Sequence, residues 1–146
     1  MRVSVIGGST VSAAVYEQAV KVGRLLAERD HTVVCGGLGG VMRGVCEGAS
    51  GGGGPTVGIL PGEEVAAANE FVDIPIATGL GHARNALVVM NGDAVVAIDG
   101  GPGTLSELGL AAVYDRPVAG LGTHDVPGVR QVGTAAAAVD HVEAHA

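Results

Sequence analysis

The stretch that most constrains the fold is Ala94–Glu107, AVVAIDGGPGTLSE. An apolar run, Ala94-Val95-Val96-Ala97-Ile98, ends at Asp99. Gly100, Gly101, Pro102 and Gly103 follow, and Thr104 then opens an amphipathic run. That order is a buried strand, a tight turn and the start of a helix. Such a junction leaves the first backbone N–H groups of the helix unpaired, and the helix dipole adds about half a positive charge there, so the turn suits an anion. Glycine matters because a Cβ would hold a phosphate away from the backbone and forbid positive φ. The chain repeats the device twice: Arg2–Ile6 runs into Gly7-Gly8-Ser9-Thr10, and His31–Cys35 runs into Gly36-Gly37-Leu38-Gly39-Gly40.

The 146 residues fit one domain spanning 1–146. Hydrophobic residues make up 47% and aromatics only 2%, so the core must be Val, Ala, Leu and Ile, which suits parallel strands buried on both faces. Apolar spacing predicts a helix over about Ser12–Glu28, capped by Ser12 or Thr10, and a short helix over Val41–Glu47 broken by the Gly51–Gly54 loop. Thr56–Leu60 reads as a strand stopped by Pro61-Gly62, and Glu63–Glu70 as a loop or short helix. Phe71–Ile76 carries Pro75 and reads as an edge strand or extended segment. A helix near His82–Asn91 precedes the Ala94–Ile98 strand. Then come a helix over Thr104–Tyr114, a strand over Pro117–Leu121, a polar turn over Thr123–Gly128, a last strand over Val129–Val132, and a final helix capped by Thr134. Strands alternating with helices imply a single-domain, Rossmann-like α/β fold, a doubly wound parallel sheet with helices on both faces. Right-handed crossovers put all three glycine turns at the strand carboxyl ends, where open α/β sheets bind ligands. Gly7, Gly8, Ser9, Gly36, Gly37, Gly39, Gly40, Gly100, Gly101, Gly103 and Thr104 are therefore expected to wall one pocket for a phosphorylated ligand.

Several classes of function are disfavoured. A formal charge of −7 argues against nucleic-acid binding. No signal peptide and no membrane-spanning apolar run is visible, so a soluble cytoplasmic protein is expected. Cys35 and Cys46 read as two free buried thiols in a reducing compartment. The first turn has neither the G-x-G-x-x-G spacing of a dinucleotide site nor the lysine of a P-loop, which disfavours ATP hydrolysis. The one lysine, Lys21, lies in an early helix, far from where a pyridoxal phosphate Schiff base would have to form. His141 and His145 have i, i+4 metal-ligand spacing but no third ligand, so no metal is expected.

Two charged residues stand out. Glu107 follows Thr104 at the spacing of a capping box, in which it would reach back to the cap's own N–H. Alternatively it faces the pocket, where a carboxylate can stabilise a ribosyl oxocarbenium ion or activate water. Arg84 falls in the first turn of its helix, where a cation opposes the dipole unless an anion or Glu107 relieves it; the alternative is a solvated arginine. His82 reads as a helix-entry residue or a pocket acid. Asp99 either orients a ligand hydroxyl or caps its glycine turn.

GGLGGVM (Gly36–Met42), GILPG (Gly58–Gly62), GHARN (Gly81–Asn85) and GGPGTLSE (Gly100–Glu107) together resemble the Lonely Guy (LOG) family, once mislabelled lysine decarboxylases. The resemblance covers about residues 3–121. It implies a nucleotide-binding Rossmann-like fold and the activity of its best-known members, which cut the bond between an adenine derivative and ribose 5-phosphate. The family's pattern PGGxGTxxE implies a phosphate turn at Gly100, Gly101, Gly103 and Thr104, and a catalytic pair at Arg84 and Glu107. It also implies a homodimer or homotetramer. Two positions depart from the pattern: Asp99 replaces a proline, and Asn85 replaces the lysine that usually follows the arginine. Both make the sequence resemble the branch that contains the molybdenum-cofactor carrier protein. That branch implies a carrier without chemistry, with molybdenum cofactor, a pterin phosphate, as its ligand; a sensor that binds a nucleotide without turnover is a third reading.

Overall fold

The computed structural model describes residues 1–146. Its strands are β1 (Arg2–Gly7), β2 (Thr32–Cys35), β3 (Thr56–Leu60), β4 (Ile74–Ala77), β5 (Ala94–Ile98), β6 (Val118–Leu121) and β7 (Val129–Gln131). Its helices are α1 (Ala13–Glu28), α2 (Val41–Gly51), α3 (Arg84–Met90), α4 (Pro102–Val113) and α5 (Ala135–His145). All seven strands form one sheet in the order β4-β3-β2-β1-β5-β6-β7, and every neighbouring pair is parallel. The order reverses between β1 and β5, where Gly7 lies opposite Ile98. Crossovers that leave in opposite directions open a crevice at such a point, at the strand carboxyl ends.

Alternation along the strands divides the core into two layers. Val3, Val5, Val33, Cys35, Val96 and Ile98 face α1, α2 and α5, whereas Ile6, Val34, Ile59, Val95 and Ala97 face α3 and α4. Ser4 points to the second layer and donates to the Val88 carbonyl at 2.6 Å, which satisfies the one hydroxyl buried inside β1. Helix α1 is capped by Ser12, whose Oγ accepts from the Val15 N–H at 3.2 Å. Helix α5 is capped in the same way by Thr134 and the Ala137 N–H, at 3.1 Å. Pro75 lies in β4 at the edge of the sheet, where its missing N–H costs nothing.

Two helix boundaries differ from the expectation, and β4 begins at Ile74 rather than at Phe71. Helix α2 continues past Glu47 to Gly51, because its glycines serve packing rather than flexibility. A Cβ on Gly48 would collide with the Val20 carbonyl, and one on Gly23 with the Val45 carbonyl. The backbones of α1 and α2 touch only because these side chains are missing. Helix α4 begins at Pro102, two residues before Thr104, with Gly101 as its N-cap and no side-chain cap; proline at the first helical position has its φ preset and loses no intrahelical bond. Segment Glu63–Glu70 contains one 3-10 turn, Val65–Ala67, and another, Gly81–Ala83, leads into α3.

Candidate functional site

A cavity of about 440 Å³ opens where β1, β2 and β5 end, at the reversal of strand order. Its size lies in the range of small-molecule sites, about 300–1,000 Å³. All three glycine turns reach it: Gly7, Gly8 and Ser9 from the first, Gly36 from the second, Gly101, Gly103 and Thr104 from the third. His82, Arg84 and Glu107 complete the polar wall. Gly37, Gly39, Gly40, Gly100 and Asp99 are not among the residues that line the cavity and instead shape the turns. Gly40 takes φ +62° as the N-cap of α2, and a Cβ there would strike the Gly8 carbonyl, so the first two turns meet backbone to backbone. Asp99 takes φ +53°. Its N–H donates to the Leu121 carbonyl at 3.0 Å and its own carbonyl accepts from the Thr123 hydroxyl at 2.8 Å.

The backbone N–H groups of Gly8, Ser9, Leu38, Gly39, Gly101, Gly103 and Thr104 have no acceptor in the protein. Donors gathered from three turns around a cavity form a concave, electropositive lining. The capping box does not form. Thr104 and Glu107 both lie inside α4, and the first helical N–H to bond is that of Leu105, to the Gly101 carbonyl at 3.0 Å. Glu107 therefore turns its carboxyl toward the cavity, where it is only 8% exposed. Burial raises its pKa from 4.5 to about 7, against the opposing pull of the Arg84 charge.

Arg84 is not a solvated surface arginine; it is 9% exposed. Its Nε donates to the Ile59 carbonyl at 2.9 Å, one terminal nitrogen reaches the Gly36 carbonyl at 3.4 Å, and the other donates to the Asn85 side chain. These neutral acceptors fix the guanidinium without cancelling its charge. Glu107 is coupled to it electrostatically but is not an ion-pair partner, and burial pulls the arginine pKa down. The cavity therefore holds an uncompensated cation, a line of free N–H donors and a carboxyl able to give or take a proton near neutrality. His82 sits exposed at the rim, in the turn before α3.

Asn85 and the turn after β6 were missed as candidate site residues. Asn85 lines the cavity, is buried, accepts from Arg84 and lies 3.5 Å from the Ser106 hydroxyl. A polar residue directly after a first-turn arginine was the available signal. His124 Nε2 lies 3.0 Å from the Gly101 carbonyl and braces the third turn together with Thr123. Cys35 and Cys46, distant in sequence, are buried with their sulfurs 3.5 Å apart. The hydrogen bond between them lowers the pKa of Cys35 and raises that of Cys46. Lys21 is exposed on α1, away from the cavity. No group of three or more His, Cys, Asp or Glu side chains is arranged to hold a metal ion, and no helix is long and apolar enough to cross a membrane.

A doubly wound parallel sheet with glycine turns converging on a crevice at its strand ends defines the Rossmann-like class of α/β fold. Within that class the chain belongs to the SLOG cluster4 family, whose model matches residues 1–145. An uncharacterized protein of Archaeoglobus fulgidus is 43% identical over 121 residues, which cover 83% of this chain and 80% of that one. The cytokinin riboside 5′-monophosphate phosphoribohydrolase of Mycobacterium tuberculosis is 37% identical over 82% of this chain, and a probable enzyme of the same name from rice, LOGL9, is 37% identical over 63%. The aligned residues span 63% and 42% of those two proteins. Among solved structures, the molybdenum cofactor binding protein of Rippkaea orientalis superposes with a TM-score of 0.92 at 31% identity, over 98% of this chain and 95% of that one. A Moco carrier protein of Chlamydomonas reinhardtii gives 0.86 at 32% identity, over 98% and 94%. DNA processing protein A of Helicobacter pylori, at 18% identity and a TM-score of 0.77, shares the fold alone.

Proposed function

We propose that the chain binds a nucleoside 5′-monophosphate and hydrolyses its N-glycosidic bond. The observation that carries this reading is the placement of Glu107, a buried carboxyl with a pKa near 7, across one cavity from the uncompensated Arg84 and beside the unpaired N–H groups of the glycine turns. The turns take the 5′-phosphate, and Arg84 orients it or the ribose. Ionised Glu107 stabilises the positive charge that develops at C1′ as the bond to the base breaks. It accepts a proton from the attacking water as the water oxygen bonds to C1′, the electron pair of the broken bond goes to the base nitrogen, and Glu107 then gives that proton to the released base. The products are free base and ribose 5-phosphate. The names of the Mycobacterium tuberculosis and rice relatives support the same chemistry. Incubation of the purified protein with AMP should release ribose 5-phosphate, and Glu107→Gln should lower the rate about a hundredfold or more. No release by wild type would remove the enzymatic reading.

A second reading, carriage of molybdenum cofactor as cargo, is favoured by two structural details. Asp99 at φ +53° occupies a conformation closed to proline, whose φ is locked near about −65°, so the third turn cannot be shaped as in a PGG sequence. Asn85 accepts from Arg84, which a lysine at that position could not do. The likeness to the Rippkaea orientalis and Chlamydomonas reinhardtii proteins points the same way. Molybdenum and pterin fluorescence in the protein as purified, with no turnover of AMP, would select this reading. We also propose a cytoplasmic homodimer or homotetramer. Exposed Met90 on α3 and Leu105 and Val113 on α4 supply apolar surface for a second copy, and light scattering on wild type and Val113→Asp tests it.

A further inference from the structure

We propose that Asn69, which does not itself line the cavity, is a positioning residue that aims two backbone donors of the second glycine turn at the bound phosphate. The proposal rests on the phosphate-cradle reading given above and adds to it a residue that neither the motifs nor the family pattern single out.

Asn69 lies in the segment between β3 and β4, and its amide is used on both sides. The side-chain N–H₂ donates to the Leu38 carbonyl at 2.9 Å and reaches the Gly37 carbonyl at 3.4 Å. Its backbone N–H donates to the same Gly37 carbonyl at 2.9 Å. The side-chain oxygen accepts from the Phe71 N–H at 3.0 Å, which fixes which end of the amide faces the turn. Two consecutive carbonyls of the glycine turn are thus drawn toward one side chain. A trans peptide is planar, and its N–H points opposite to its C=O. Pinning the Gly37 carbonyl therefore turns the Leu38 N–H away from Asn69, and pinning the Leu38 carbonyl does the same for Gly39. Those two N–H groups have no acceptor in the protein. Leu38 lines the cavity, and Gly39 faces the first turn, where a Cβ would lie 3.4 Å from the Ser9 carbonyl. Gly37 at φ +78° reverses the chain direction just before these two peptides. The result is a pair of adjacent N–H donors forming one concave anion nest.

The geometry is held from a second point. Arg43 on α2 pairs with Glu70, next to Asn69, and stacks over the Phe71 ring with its guanidinium carbon 5.0 Å from the centroid. The strap that carries Asn69 is therefore anchored to the helix that follows the turn.

Backbone amide spectra of the full-length 15N-labelled chain, titrated with AMP and separately with inorganic phosphate, test the assignment. Both probes should move the Leu38 and Gly39 amide signals of wild type, and adenosine should leave them in place. In Asn69→Ala the backbone N–H of residue 69 still holds the Gly37 carbonyl but the Leu38 carbonyl loses its donor, so the Leu38, Gly101 and Gly103 signals should still respond while that of Gly39 no longer does, and AMP should bind about tenfold more weakly. A merely structural role for Asn69 would lower thermal stability but leave the Gly39 response intact, and that result overturns the proposal. Wild-type spectra in which Gly101 and Gly103 move but Leu38 and Gly39 do not also overturn it, while leaving the phosphate cradle standing. If neither phosphate probe moves any of the four, the cradle itself falls and this assignment with it. Should Asn69→Ala fail to fold, Asn69→Asp takes its place, keeping the acceptor for the Phe71 N–H while removing the donor to the Leu38 carbonyl, with the same outcomes read at Gly39.

Discussion

The two faces of the sheet are built to different standards. Under α1, α2 and α5 lies a core of 22 buried residues, closed by glycines that let helices touch and by ion pairs at its rim. Under α3 and α4 lies a core of 10, and α4 leaves Leu105 at 46% and Val113 at 72% exposure. Arg84 and Glu107 both come from this thinner face, at the start of α3 and one turn into α4. A face that must bury a cation and a carboxyl beside a cavity gives up apolar contact, and the opposite face carries the stability. The division teaches that the same residue type has opposite value on the two sides.

Glycine breaks the comparison most sharply. Gly48→Ala forces a Cβ into the Val20 carbonyl and should cost more than about 3 kcal/mol, read from urea unfolding. The titration of Glu107 is of similar size. Its pKa is about 7 in the folded chain against 4.5 in the unfolded one, so folding is favoured by its proton. This contribution is fully present below about pH 4.5 and is lost as pH rises through 7, a change of about 3 kcal/mol. Glu107→Gln should flatten the stability–pH profile over that window and be more stable than wild type above pH 7; an unchanged profile would place the carboxyl in water. Arg84→Leu should weaken AMP or phosphate binding by about tenfold or more in calorimetry, whereas the same probes should bind normally to Arg29→Ala at the rim of the other face. Gly109 of α4 has no atom within 4 Å of a built Cβ, so Gly109→Ala should stabilise by about 1 kcal/mol through helix propensity. The smallest effect belongs to the rim. Arg29 bonds Asp140 and Glu143 at 2.7 Å but is 33% exposed, and Arg29→Ala should cost about 0.5 kcal/mol, diminishing with salt.

The skeleton was legible in the sequence because it rests on local patterns. Apolar runs ending in glycine mark β1, β2 and β5, and their shared edge follows from crossover handedness. The convergence of Gly8, Ser9, Gly36, Gly101 and Gly103 on one cavity follows from those two facts. Other features depend on partners remote in sequence. Nothing local distinguishes Gly48, which packs against α1, from the loop glycines after it. The burial of Arg84 depends on carbonyls 25 and 48 residues away. The spacing of Thr104 and Glu107 fits a cap and a pocket equally well, and only the start of α4 at Pro102 separates the two. Cys35 and Cys46 become neighbours because α2 lies back across β2, which spacing alone does not encode.

The register of β1 on β5, Val3 against Ala94 through Gly7 against Ile98, has a kinetic consequence. The central seam of the sheet joins segments about ninety residues apart, and the crevice exists only once that seam is closed. Loop-closure entropy must be overcome before any contact across it is gained. The affinity proposed above for a phosphorylated ligand would thus be acquired late, as a property of the completed chain, and such a ligand present during refolding would favour the last docking step without touching the earlier ones.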